Sequence, residues 1–221
     1  MSVTTSSGAN SPVNVKKQYG FYIDSSKCTG CKTCQLSCKD NKDLDVKRNF
    51  RRIYEYVGGN WSENNGVYRQ DVYAYYLSIA CNHCSNPACT KVCPSGAMHK
   101  REEDGLVVVN EEVCIGCKYC HMACPYGAPQ YSEEKGHMTK CDGCHERVAE
   151  GLMPVCVDSC PLRAIEFGPI DELRAKYGNN ADCAPLPDSR LTSPNLIVKL
   201  NPNAKPLGDT SGFLQNPKEV I

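Results

Sequence analysis

Cys114, Cys117, Cys120 and Cys124 stand at intervals of two, two and three intervening residues, and Pro125 follows directly. Thiolates at this spacing hold cubane iron–sulfur clusters, the first three wrapping one cubane and the fourth completing a neighbour. The reason is steric. A loop with three thiolates at three-residue intervals curls around three corners of a cluster, and three further residues carry the fourth away. Pro125, with a fixed φ and no N–H, ends the local turn.

Three other bunches repeat the pattern. Cys28, Cys31, Cys34 and Cys38 keep the same spacing, but Lys39 follows in place of Pro. Cys81, Cys84, Cys89 and Cys93 have a middle gap of four residues and precede Pro94. Cys141 and Cys144 are separated by eleven residues from Cys156 and Cys160, which precedes Pro161. The three Cys-Pro pairs lead into Gly96-Ala97, Gly127-Ala128 and Arg163-Ala164, an internal repeat. Four bunches of four use sixteen of the seventeen cysteines and leave Cys183 over. Four cubanes with four thiolates each need that number, so four 4Fe–4S clusters are the expected cofactors, with iron the metal.

Rival chemistries fit less well. All-cysteine zinc sites use two paired knuckles, which the Cys141/Cys144 and Cys156/Cys160 bunch approaches. Three cysteines at three-residue intervals, as in the first and third bunches along the chain, crowd a tetrahedral ion. A disulfide framework suits short secreted chains, whereas these cysteines come in tight bunches and residues 1–17 contain no apolar signal segment. His83 and His121 lie inside bunches that already supply four thiols, so both are expected at the surface or beside the ligands. Lys27, Lys32, Lys39, Lys91, Lys118 and Lys140 flank cluster cysteines, either as solvated charge or as cations that raise cluster potentials. Cys183 is expected to be a structural or free thiol.

These loops need short elements to hold them. Residues 1–18 lack periodicity and are expected to be a mobile extension. A strand is predicted at 19–24, then a cysteine-free aromatic insert with a strand over 71–79. The insert holds Trp61 and many tyrosines, expected either to pack around the loops or to dock a partner. Hairpins are predicted from 97–100 with 106–109, and from 130–131 with 138–140. A strand at 164–167 and a helix at 171–177 follow. From 179 the chain is expected to be an extended tail, with one strand at 196–200, lying along this protein or a partner. The units are 1–18, a first half at 19–80 completed by 141–178, a second half at 81–140, and the tail 179–221.

Twenty-five basic and twenty-five acidic residues give a formal charge of zero, so charge calls for no nucleic-acid partner. No apolar run approaches the ~20 residues of a membrane span. No phosphate loop, nucleophile elbow or zinc-protease motif is present. A cluster with four Cys ligands offers no substrate position, so an electron-transfer chain rather than an enzyme is expected.

The order of the four bunches resembles the iron–sulfur subunits of bacterial molybdopterin oxidoreductases, and within them the dimethyl sulfoxide reductase branch. The resemblance is carried by residues 19–26, 50–56, 89–101, 121–131 and 216–220. It implies an α+β fold of two intertwined ferredoxin-like halves with inserted hairpins and an extended C-terminal tail. It also implies a pairing of bunches, first with fourth and second with third. Cys28, Cys31, Cys34 and Cys160 would hold the first cluster, and Cys38, Cys141, Cys144 and Cys156 the second. Cys81, Cys84, Cys89 and Cys124 would hold the third, and Cys93, Cys114, Cys117 and Cys120 the fourth. Nitrate-reductase relatives carry Trp where Cys117 stands and hold a three-iron cluster, so Cys117 implies a full cubane. The implied partners are a molybdopterin catalytic subunit and a multi-span membrane subunit oxidising menaquinol, in a heterotrimer. The fourth cluster would lie nearest the quinol and the first nearest the catalytic subunit. Export attached to the catalytic partner would place the protein on the periplasmic face of the membrane. A wire serving formate, polysulfide or hydrogenase chemistry, or a free polyferredoxin, is the alternative.

Overall fold

A computed structural model of the chain describes residues 14–220. Strand β1 (Tyr19–Asp24) is where the predicted strand falls, and all but its first residue are buried. Apolar side chains fill both of its faces because the main core covers Phe21 and Ile23 on one side and a helix covers Tyr22 on the other, while strands pair with both of its edges. β10 (Ile165–Pro169) pairs with it antiparallel, Phe21 opposite Phe167, and β11 (Leu196–Lys199) pairs parallel, Phe21 opposite Leu196. Helix α6 (Ile170–Tyr177) lays Ile170 and Leu173 against Tyr22 and Ile197. Gly20 permits this closeness, since a Cβ there would stand 2.4 Å from the Asn195 carbonyl oxygen.

A second sheet comes from the aromatic insert. β2 (Arg52–Gly58) pairs antiparallel with β5 (Tyr73–Ile79) on one side and with β12 (Gly212–Leu214) on the other. The sequence reading has no strand at β2. Its apolar residues do not alternate, because Ile53, Tyr54 and Tyr56 are all buried. Between these strands β3 (Trp61–Asn64) and β4 (Val67–Gln70) form a hairpin. Its Asn65-Gly66 turn has positive φ at both residues, the twist that two-residue hairpin loops require.

The aromatic residues therefore divide. Tyr54, Tyr56 and Tyr75 lie in the main core, whereas Trp61 is 68% exposed and Tyr68 66%. The two other hairpins are β6 (Met98–Lys100) with β7 (Val107–Val109), and β8 (Gln130–Tyr131) with β9 (Met138–Thr139), both where the turn signals put them.

The tail lies along this protein itself. Besides β11 and β12 it contributes helix α7 (Pro217–Val220), and Cys183, Ala184, Leu186 and Val220 enter the main core. The expected extension at 1–18 falls outside the described residues as far as 13. Lys16 and Gln18 are tied down: the Lys16 N–H donates to the Glu102 carbonyl, and the Gln18 amide to that of Gly105. The fold is α+β, small sheets and short helices arranged around the cysteine loops.

Candidate iron–sulfur sites

Each bunch opens with a loop that coils in the left-handed region. The residue before the second cysteine has positive φ in all four: Gly30 at 71°, His83 at 43°, Gly116 at 67° and Gly143 at 69°. Successive turns of this kind aim backbone N–H groups into a concavity that favours anions. At Gly30 space matters as well, because a Cβ would lie 2.5 Å from the Tyr76 ring.

Short helices carry the later cysteines of each bunch. Helix α1 (Thr33–Asn41) holds Cys34 and Cys38, both buried and one turn apart. They share a face, so it is the rise of four residues along the axis, about 6 Å, that sends them to different sites. Helix α4 (His145–Ala149) follows directly on Cys144. Helix α5 (Val155–Asp158) packs on α1, with Cys156 buried in it and Cys160 just beyond. Helices α2 (Ala88–Lys91) and α3 (Tyr119–Ala123) repeat the arrangement with Cys89, Cys93, Cys120 and Cys124. Where Pro follows the last cysteine the helix has already stopped. Where Lys39 follows, α1 runs on to Asn41.

The structure brings the sixteen thiols together in four sets. Cys28, Cys31, Cys34 and Cys160 line a cavity of about 310 Å³ with Ile53 and Ile165. Cys81, Cys84, Cys89 and Cys124 line one of about 370 Å³ with Tyr126. Cys93, Cys114, Cys117 and Cys120 line one of about 290 Å³ with Met98 and Met138. Cys38, Cys141, Cys144 and Cys156 are all buried, and Cys38 faces both Cys156 and Cys144. Cys38 and Cys141 also share one apolar cluster.

The sets stand in a row. One apolar cluster joins Cys28, Cys34 and Cys160 to Cys156. A second joins Cys38 and Cys141 to Cys81 and Cys124. A third joins Cys89 to Cys93, Cys114 and Cys120. Neighbouring sets thus share a core, in the order first, second, third, fourth.

The donor chemistry fits anionic cubanes. All seventeen cysteines are free thiols. Burial pushes the Cys28 thiol up to about 11 and that of Cys38 up to about 12, the latter helped by the like charge of Cys156. Burial likewise raises Cys84 to about 12 and Cys120 to about 11. Such thiols ionise only when a cation joins them, and iron supplies it. Backbone N–H groups already point at the sulfurs: Met98 at Cys93 (3.3 Å), Gly143 at Cys141 (3.4 Å) and Ala164 at Cys160 (3.4 Å). The buried guanidinium of Arg51 offers further evidence of fit, since Nε and Nη2 have no partner among the described residues.

The two histidines take the two places expected of them. His83 is fully buried beside the ligands. Its Nδ1 accepts the Val107 N–H at 3.0 Å, so a neutral ring carries its proton on Nε2, 3.9 Å from Cys141 Sγ. Burial first, then Lys140 and Lys100, holds its pKa far below the usual histidine value. His121 is exposed, with Nδ1 2.7 Å from the Pro129 carbonyl oxygen.

Of the six flanking lysines, Lys27, Lys91 and Lys118 face solvent, Lys32 bridges Glu55 and Glu219, and Lys39 binds the 45–49 turn. Lys140 alone is buried, donating to the Val107 and Cys141 carbonyls between the second and third sets. Cys183 lies apart, fully buried beside Tyr75 in the main core. Arg51 and Ser78 were not singled out by sequence. An Arg-Arg pair at the start of a strand carries no signal that either side chain will be buried.

Four thiol sets in a row, each closed by cysteine, define a ferredoxin-like carrier of single electrons. The 4Fe-4S dicluster domain family matches residues 72–170 and the 4Fe-4S binding domain family residues 25–43. The B subunit of anaerobic dimethyl sulfoxide reductase from Escherichia coli (strain K12) is 71% identical over 92% of this chain and 98% of its own length. The subunit of the same name from Haemophilus influenzae is 66% identical over 92% of this chain and 100% of its own length. Selenate reductase subunit beta of Thauera selenatis is 39% identical over 81% and 80%. The protein belongs to the family of anaerobic dimethyl sulfoxide reductase B subunits, the electron-transfer iron–sulfur subunits of reductase complexes.

Proposed function

We propose that this protein relays electrons through four 4Fe–4S clusters to a molybdopterin catalytic subunit that reduces dimethyl sulfoxide and related S- and N-oxides. The electrons enter from a multi-span membrane subunit that oxidises menaquinol, and the three subunits form a heterotrimer. The ligands are Cys28, Cys31, Cys34 and Cys160 for the first cluster, and Cys38, Cys141, Cys144 and Cys156 for the second. Cys81, Cys84, Cys89 and Cys124 hold the third, and Cys93, Cys114, Cys117 and Cys120 the fourth. The clusters supply reversible one-electron chemistry. The protein's own residues space them, exclude water and set the charge around the sulfurs.

The row of thiol sets sharing apolar cores is the observation that carries this reading. Identity of 71% to a dimethyl sulfoxide reductase subunit, against 39% to a selenate reductase subunit, favours the sulfoxide branch. Both ends of the row expose apolar side chains suited to docking. Leu36 and Leu162 flank the first site, and Ile115, Tyr119 and Met122 the fourth. No described helix is long and apolar enough to cross a membrane, and the periplasmic face is proposed on the family resemblance alone.

Purification of the complex from native membranes under anaerobic conditions, with redox-poised electron paramagnetic resonance, tests the proposal. A molybdopterin subunit, a membrane subunit and four cubane signals are expected. A colourless, iron-free preparation, or a protein that purifies alone, would overturn it.

A further inference from the structure

Arg51 is one of the largest fully buried side chains, only 1% exposed. Its Nη1 donates to the Ser78 carbonyl at 2.9 Å and to the Ser78 hydroxyl at 3.1 Å. Its carbon Cζ stands 4.5 Å from the centre of the Phe21 ring. Nε and Nη2, both buried, have no partner among the described residues. An arginine does not deprotonate in a protein, so a full positive charge and two nitrogens bearing three N–H donors are held in the core without a nitrogen or oxygen acceptor. That arrangement is costly unless an anion faces it.

The facing groups are sulfurs of two different sets. Ionised as cluster ligands, the sulfurs of Cys156, Cys34, Cys141 and Cys38 would favour the guanidinium against its burial. Cys34 belongs to the first set and the other three to the second. Ser78 adds a second link. Its Oγ accepts from Arg51 and lies 3.3 Å from Cys34 Sγ, leaving its own proton for that sulfur. The order Cys34, Ser78, Arg51, Cys156 thus joins two thiol sets through one hydroxyl and one guanidinium.

We propose that Arg51 is a positioning residue for electron transfer, a buried fixed cation shared by the first and second cluster sites that raises the reduction potential of both. This rests on the cluster assignment proposed above. Arg51 donates its Nε and Nη2 protons toward the clusters and keeps them throughout. One electron leaves one site, which is oxidised, and arrives at the other, which is reduced, with no proton moved. Because the cation is shared, it favours the electron on either site and adds little to the difference between the two potentials. A cation beside one site alone would trap the electron there.

The test uses the native complex and three readouts. First, in Arg51→Met complex, redox-poised resonance is expected to show the first and second potentials lowered and the third and fourth unmoved. The expected size is at least about tenfold in the reduced-to-oxidised ratio at fixed poise, which for one electron is 59 mV. Second, Arg51→Lys, which keeps the charge, is expected to recover most of the shift. Third, complex grown with guanidino-¹⁵N arginine is expected to show a ¹⁵N coupling on the reduced first or second cluster that is absent in Arg51→Lys. This last readout starts from unaltered protein, so it decides the matter even if Arg51→Met fails to assemble.

Potentials unmoved in Arg51→Met with all clusters present would overturn the proposal, as would the absence of ¹⁵N coupling in native complex. Equal shifts in the Met and Lys variants would reduce Arg51 to packing and overturn it too. Native complex without any iron–sulfur signal would instead remove the cluster reading, and this proposal with it.

Discussion

The two pairs of sites are built alike but closed differently. The third and fourth sites draw all their cysteines from residues 81–124, one stretch of sequence with two short helices and a hairpin. The first and second draw theirs from 28–38 and 141–160, with the whole second pair lying between in sequence. Helices α1 and α5 meet across that gap, where the hydroxyls of Ser37 and Ser159 stand 2.6 Å apart. Bringing distant segments together costs more conformational entropy than closing a local loop. The structure offsets that cost with its largest core, made of β1, β2, β5, β10 and the returning tail. The local pair manages with a small cluster around Met98, Val107 and Met138. The first pair therefore depends on a core assembled from distant segments, whereas in the second pair only the third site draws on the tail, where the Asn195 amide donates to the His83 carbonyl at 2.8 Å and Thr192 Oγ1 lies 3.2 Å from Cys84 Sγ.

The hardest blow to that contrast is Ile197→Asp. Ile197 is fully buried against Tyr22, Ile170 and Leu173, on the strand that docks the tail to β1. An unpaired carboxylate there should cost upwards of about 4 kcal/mol. Resonance signals of the first and second clusters should weaken most, that of the third less, and that of the fourth should persist. Loss of the third and fourth first would break the comparison.

A milder change is Cys183→Ala, in the main core on the other face of β1 and outside every thiol set. Removing one buried sulfur should destabilise by about 1–2 kcal/mol, read from the unfolding midpoint. Iron content should stay at the level of the unaltered protein. A drop in iron would make Cys183 more than packing.

Trp61→Ala should change least. The β3–β4 hairpin is exposed along its whole length and supports neither pair of sites. Stability of the isolated protein should move by no more than about 0.5 kcal/mol. Affinity for the partner subunits is the sensitive measurement. A complex of unchanged affinity would show that the hairpin is not an interface anchor.

Much of this molecule was legible in its sequence because cysteine spacing is a local code. Three thiols at three-residue intervals need the left-handed loop that Gly30 and Gly116 supply, and the structure has that loop at both. Turn residues likewise marked the hairpins. β2 was illegible because both of its faces are covered, which erases the alternation by which a strand is recognised. The fourth cysteine reaches a different site as expected, and the helix accounts for it by the rise between Cys34 and Cys38.

By itself the sequence determined the number of sites, their ligand chemistry and the short elements that carry them, since all of these rest on neighbours along the backbone. Only the tertiary structure decided which bunches meet, that the tail completes two sheets, and that Arg51, Lys140 and His83 are buried between thiol sets. Burial of a charge depends on what distant segments enclose it. No spacing rule along the sequence carries that information.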